Sequence, residues 1–168
     1  MFLSPNVGEE LRPLARIVSG GELSRVMLAL KTLAAEAEAS QARTLHTNFT
    51  KTLIFDEVDA GIGGRVATVV GQKLASLGDR FQVLCITHLP QIAACGRSHF
   101  LIEKRVQGRR TVTSVNRLTP EDRVEEIARM MGGAAAGEKA LASARELLDN
   151  TVAKAKGESP RQAKAKAK

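Results

Sequence analysis

An α/β fold, a mostly parallel sheet flanked by helices and carrying one β-hairpin, is what three features of this sequence predict. The first is a pair of short apolar runs, Leu53–Phe55 and Val83–Thr87, each closed by polar or turn residues. Such runs read as buried strands of a parallel sheet. The second is the segment between them, residues 64–77, where Val66, Val69, Val70, Leu74 and Leu77 recur at helical spacing. Strand, helix, strand is then a right-handed crossover. The third is residues 99–118, which form two β runs around Gln107-Gly108-Arg109 and so predict a hairpin.

Residues 1–18 hold Pro5, Gly8 and Pro13 among apolar residues and read as an irregular or short-strand approach. Ser19 with Glu22 three positions on makes a capping box. Leu23, Val26, Met27, Leu30, Leu33 and Ala34 follow at helical spacing, which predicts a helix to about Ala39 with these residues as its buried stripe. Gly20 and Gly21 are unusual in its first turn, where glycine lowers helix stability. Without side chains they let an anion approach the unpaired N–H groups at the helix's positive end, although a well-capped structural helix reads the same way. The stretch "SQARTLHTNFTK" is a polar connection in which His46 is a surface residue. Beyond the second strand, Thr119-Pro120-Glu121-Asp122 starts a helix with Val124, Ile127, Ala128 and Met131 as its stripe, ended by Gly132-Gly133. A last helix over about 137–148 uses Leu141, Ala144 and Leu148. Residues 1–150 are thus one lobe, and the Lys/Ala-rich residues 151–168 a basic tail expected to be disordered.

Composition fits a globular chain. Its 168 residues are 43% hydrophobic, but aromatics are 3% with no Trp or Tyr, so aliphatic residues must build the core. No run is long enough to span a bilayer and no signal-peptide pattern occurs. Cys85 and Cys95 suit a reducing cytosol and core packing better than a disulfide or a metal site. The net charge is +7, yet the tail holds Lys154, Lys156, Arg161, Lys164, Lys166 and Lys168 against Glu158 alone. Five of the seven positive charges therefore sit in the tail, and overall basicity says little about DNA binding by the folded part. Lys104, Arg105, Arg109, Arg110 and Arg117 make the hairpin basic, but with no aromatics interleaved a solvated strand pair is the simpler reading.

The chemistry concentrates in "TLIFDEVDAGIGG", residues 52–64. Asp56 and Glu57 end the first strand, where open α/β sheets place their ligands, and Asp59 and a Gly-rich turn follow. One acid there can hold a divalent cation and the next can orient a water, as in a nucleotide hydrolase. A strand followed by an acidic surface turn would give the same string. His88 follows the second strand at the same kind of position, where a neutral imidazole can hydrogen-bond a phosphate oxygen.

Taken together, these strings resemble the C-terminal half of an ABC-type P-loop ATPase head. "SGGE" matches the signature loop, "TLIFDE" the Walker B strand, "VDAGIGG" the D-loop and "ITH" the switch histidine. Transporter ATPases usually place Pro after the acidic pair; here Val58-Asp59 follows, as in chromosome-maintenance heads. The strings "FLSPNVGEELRPLARIVSGGELSRVMLALK", "DEVDAGIGGRVA", "CITHLPQIAACG" and "EEIARMMGG" look like the RecN family of bacterial DNA repair proteins. That resemblance runs from Phe2 to about Leu148. It implies ATP and Mg²⁺ as cofactors, with Asp56 at the metal, and Glu57 and His88 as catalytic residues. It also implies that Ser19, Gly20, Gly21, Glu22 and Asp59 contact nucleotide held by a second head. No phosphate-loop pattern G-x-x-x-x-G-K-[ST] and no long heptad segment occur, so the resemblance assigns both to an N-terminal half. The implied partners are that half, a second head in an ATP-dependent dimer, and DNA, in a bacterial cytoplasm at the nucleoid and not at a membrane. A transporter nucleotide-binding domain and a non-enzymatic DNA-binding module are the competing readings.

Overall fold

The computed structural model describes residues 2–3, 8, 10, 12–13, 20–41, 51–108, 110–133 and 137–155. The chain forms two compact units, Met1–Thr87 and His88–Lys168. No described helix is long and apolar enough to cross a membrane.

In the first unit, β1 (Phe2–Leu3) pairs antiparallel with β2 (Arg12–Pro13). Helix α1 (Gly20–Gln41) follows, two residues longer than expected at its C-terminus. The strand–helix–strand order and the parallel pairing are present as predicted: β3 (Thr52–Phe55), α2 (Gly64–Leu77), then β4 (Gln82–Cys85) parallel to β3, with Thr52 opposite Gln82 and Phe55 opposite Cys85. The ladder continues one step past β4, where the Ile86 amide donates to the Phe55 carbonyl at 2.9 Å. Helix α2 contacts both α1 and β4.

The burial pattern corrects two expected stripes. On α1 the buried residues are Gly21, Leu28, Thr32 and Ala35, with Ser24, Arg25 and Val26 half-buried; Leu23, Met27, Leu30, Leu33 and Ala34 are exposed. Both sets recur at helical spacing, and the second is the more apolar. Polar residues can line the inner side because each has a bond there. The Thr32 hydroxyl donates to the Leu28 carbonyl at 2.8 Å, and Arg25 reaches backbone carbonyls described below. On α2 the inner residues are Ala67, Val70, Gly71, Leu74 and Leu77, while Val66 and Val69 are exposed. The strands are likewise covered on one face only. Phe55 is buried, but Ile54 is 69% exposed and Leu84 and Ile86 are exposed too. Side chains alternate along a strand, so these three share the uncovered face.

In the second unit, α3 (Pro90–Ala93) leads to the hairpin β5 (Phe100–Gln107) and β6 (Arg110–Arg117), paired antiparallel from Phe100 opposite Arg117 to Gln107 opposite Arg110. The pairing of Gln107 with Arg110 thus closes the hairpin beside Gly108, at the expected place. Helix α4 (Pro120–Gly132) starts as predicted, with a capping box in which the Thr119 hydroxyl accepts from the Asp122 amide and the Asp122 carboxylate accepts from the Thr119 amide. Helix α5 (Glu138–Ala155) runs seven residues beyond the expected end at Leu148. Ile127 and Ala128 of α4 and Ala144 of α5 are completely buried and cluster with the nearly buried Ala94, and Val124, Leu141 and Leu148 pack around them. Met131, expected in that stripe, is exposed. Glu126 takes an inward position instead, holding Arg129 by two bonds of 2.7 Å.

Candidate functional site

The C-terminal end of β3 delivers Asp56 and Glu57 to the surface, and both are exposed. The chain then reverses in a tight turn, closed by the Ala60 amide donating to the Glu57 carbonyl at 3.1 Å. Within it Val58 is fully buried and Asp59 is 4% exposed, so two exposed acids are followed by two inward residues, one of them an acid. Glu57 has φ +56°, a left-handed conformation unusual for a residue with a side chain. Asp59 accepts a hydrogen bond from the Thr87 hydroxyl at 2.6 Å. The turn is thus pinned from the side of β4.

It is pinned from α1 as well. The Ser24 hydroxyl donates to the Asp56 carbonyl at 2.7 Å. Arg25 Nη1 donates to the Ala60 carbonyl at 2.7 Å and lies 3.4 Å from the Val58 carbonyl. The first turn of α1 lies directly against these residues. A Cβ on Gly21 would stand 2.5 Å from the Ala60 Cβ and 2.8 Å from the Glu57 carbonyl oxygen. One on Gly20 would stand 2.8 Å from Glu57 Oε2. The glycines, expected to open the helix end to an anion, therefore also allow the close approach of helix and turn.

Burial, then the nearby charges of Asp59 and Asp56, push the Cys85 thiol up to about 12. It is a protonated, inert group at neutral pH, in keeping with a packing role. Among the described residues no group of three or more His, Cys, Asp or Glu side chains forms a metal cage. Exposed carboxylate oxygens such as those of Asp56 suit Mg²⁺, which takes one or two protein carboxylates and completes its shell with water and phosphate oxygens.

Of the other expected site residues, Glu22 is exposed in the first turn of α1. Ser19 lies outside the described residues, as do His46 and Arg109. His88 is the first residue of the second unit and is exposed. Ser24, Arg25 and Thr87 were not singled out in the sequence; as isolated polar residues within apolar patterns they gave no spacing signal of their own. A cavity of about 680 Å³ lies within the His88–Lys168 unit. Arg97, Arg117, Arg123 and Arg145 line it, but so do Glu121, Glu125 and Asp149, leaving its charge nearly balanced. Arg123 is committed to structure there, donating to the carbonyls of Ala93, Ala94 and Gly96 at 3.1, 2.9 and 2.6 Å.

No protein-family model matches the chain. Among curated proteins it is similar to the DNA repair protein RecN of Vibrio cholerae, 44% identical over 147 residues, and to that of Haemophilus influenzae, 46% identical over 147 residues. Each match covers 88% of this chain and 25% of the relative. The DNA repair protein RecN of Deinococcus radiodurans is 50% identical over 145 residues, 86% of this chain and 23% of the relative. The chain thus spans about a quarter of the length of the curated relatives it matches.

Proposed function

We propose, from the premise that this chain is homologous to the DNA repair protein RecN over 88% of its length, that it is part of an ATP-hydrolysing head acting in double-strand break repair and recombination. The observation that carries the reading is the turn after β3. It presents two adjacent exposed carboxylates, Asp56 and Glu57, with the N-terminus of α1 packed against it. In this reading Asp56 binds Mg²⁺ directly or through water, and Glu57 orients or deprotonates the attacking water. His88 contacts the γ-phosphate. Ser19, Gly20, Gly21 and Glu22 meet nucleotide on a second head. Asp59, assigned to the same contact, is nearly buried and is held by the Thr87 hydroxyl on one carboxylate oxygen. A bound Mg²⁺ would supply neutralisation of the charge on the transferred phosphoryl group. The protein's own part is mostly positioning and electrostatic complementarity, as phosphoryl transfer requires. The phosphate loop and the coiled coil are assigned to the rest of a RecN-like chain, and DNA is the partner of the whole assembly.

The test is reconstitution. This chain alone should show no significant ATPase activity, and adding an N-terminal half that carries the phosphate loop should restore it. In the restored head Glu57→Gln should keep Mg-ATP binding and slow hydrolysis by about 10²–10³-fold, since it removes a group that acts chiefly in the transition state. Asp56→Asn should weaken Mg²⁺ dependence itself. Robust hydrolysis by the chain alone, or normal turnover by Glu57→Gln, would overturn the assignment.

A further inference from the structure

The geometry points to Arg25 as a positioning residue that, through its bonds to the turn after β3, fixes the left-handed backbone from which Glu57 projects. The inference rests on the assignment of Glu57 as the water-orienting residue. Three observations carry it. Arg25 is half-buried and aims one nitrogen, Nη1, at two carbonyls of a single turn, Ala60 at 2.7 Å and Val58 at 3.4 Å. The carbonyl of Asp56, at the turn's other end, takes the Ser24 hydroxyl from the same helix turn. Glu57 lies between these tethers at φ +56°, a conformation that persists for a non-glycine only where its surroundings hold it. Neither Ser24 nor Arg25 touches a group that reacts. Their effect is to make the N-terminus of α1 and the turn one rigid piece. Movement of the Gly20–Gly21 end would then move the Glu57 carboxylate with it. In the composite head, engagement of the signature loop by one nucleotide would be felt at the water-orienting residue of the other.

The bonds from Arg25 to carbonyls require a donor, and Met has the length of the stem without one. Arg25→Met should therefore free the turn without emptying the space. A misplacement of about 1 Å in a catalytic group lowers turnover on the order of 10²-fold, and a loss of roughly 10- to 100-fold in kcat at unchanged KM is expected. Arg25→Lys, which keeps one reachable donor, should recover part of it. The readout independent of turnover is hydrogen exchange on this chain without nucleotide. In Arg25→Met the amides of Ala60 and Ile62, which close the turn on Glu57 and Asp59, should exchange faster while α2 and β4 are unchanged. In the reconstituted head, Arg25→Met added to Glu57→Gln should cost almost nothing further, because the two act as a unit.

Outcomes separate cleanly. Unchanged exchange at Ala60 and Ile62 in Arg25→Met overturns the inference. So does faster exchange throughout the first unit in both variants, which would make Arg25 a general stabiliser. So does full additivity with Glu57→Gln. Normal turnover by Glu57→Gln alone would instead overturn the assignment on which the inference rests.

Discussion

Glu57 is held where its backbone is strained, and strain of this kind has a measurable signature. A residue with a Cβ in the left-handed region is disfavoured by about 1–2 kcal/mol, whereas glycine is not. Glycine's greater freedom in the unfolded chain returns roughly 0.5–1 kcal/mol of that. Glu57→Gly should therefore leave stability unchanged or raise it by up to about 1.5 kcal/mol while removing the carboxylate. A urea titration beside an activity assay checks this; clear destabilisation would mean the Glu57 side chain itself holds the turn. The neighbouring Cys85 gives a pH prediction. Its folded-state pKa of about 12 lies above the ordinary thiol value of 9.0. Below about pH 9 both states hold the proton and stability is unaffected. Between pH 9 and 12 the unfolded chain ionises and the folded one resists, so stability falls as pH rises. Cys85→Ala should flatten that fall, and alkylation of the wild-type thiol at pH 8 should be slow unless denaturant is added. From the sequence, the acids could be found because their side chains carry the chemistry. The tethers at Ser24, Arg25 and Thr87 could not, because a hydroxyl or guanidinium bonded to a distant carbonyl leaves no periodic trace.

The elements themselves were largely legible, and their faces less so. Helix α2 begins and ends where the pattern places it, and the hairpin turn and the Thr119 cap stand where local chemistry puts them. Such features are decided within a few residues of chain. Which side of α1 turns inward is decided by long-range contacts, and there the more apolar stripe proved to be the exposed one. This gives a sharp comparison between two leucines of one helix. Leu28 is 4% exposed and Leu33 is 61% exposed. Leu28→Ala should cost about 2–5 kcal/mol, as for a buried leucine, and Leu33→Ala no more than about 0.5 kcal/mol in either direction. Similar losses in thermal unfolding would show that the apolar stripe is inside after all. In the second unit, Thr119→Ala should cost about 1 kcal/mol, because it removes an acceptor from the α4 amides.

At the scale of the molecule, family kinship was readable from long strings, but the incompleteness of packing was not, because periodicity marks apolar faces without saying what covers them. The first unit has a groove of about 300 Å³ lined by Leu23, Met27, Lys31 and the strand Thr52–Phe55. Among the described strands β3 pairs with β4 alone. Exposed apolar grooves mark surfaces that other polypeptide covers. If a phosphate-loop half of a RecN-like chain completes this head, this groove is where it should seat. The chain alone should then bind a hydrophobic dye, and the added half should displace the dye as a complex forms on gel filtration. Leu23→Lys with Ile54→Lys tests the location. Both residues are exposed, so surface substitution should shift stability by only about 0.5 kcal/mol each and leave circular dichroism unchanged. The complex should nevertheless weaken sharply, because two charges would have to be buried without partners. A double variant that still assembles with the phosphate-loop half and regains ATPase activity would show that the completing contacts lie elsewhere on the chain.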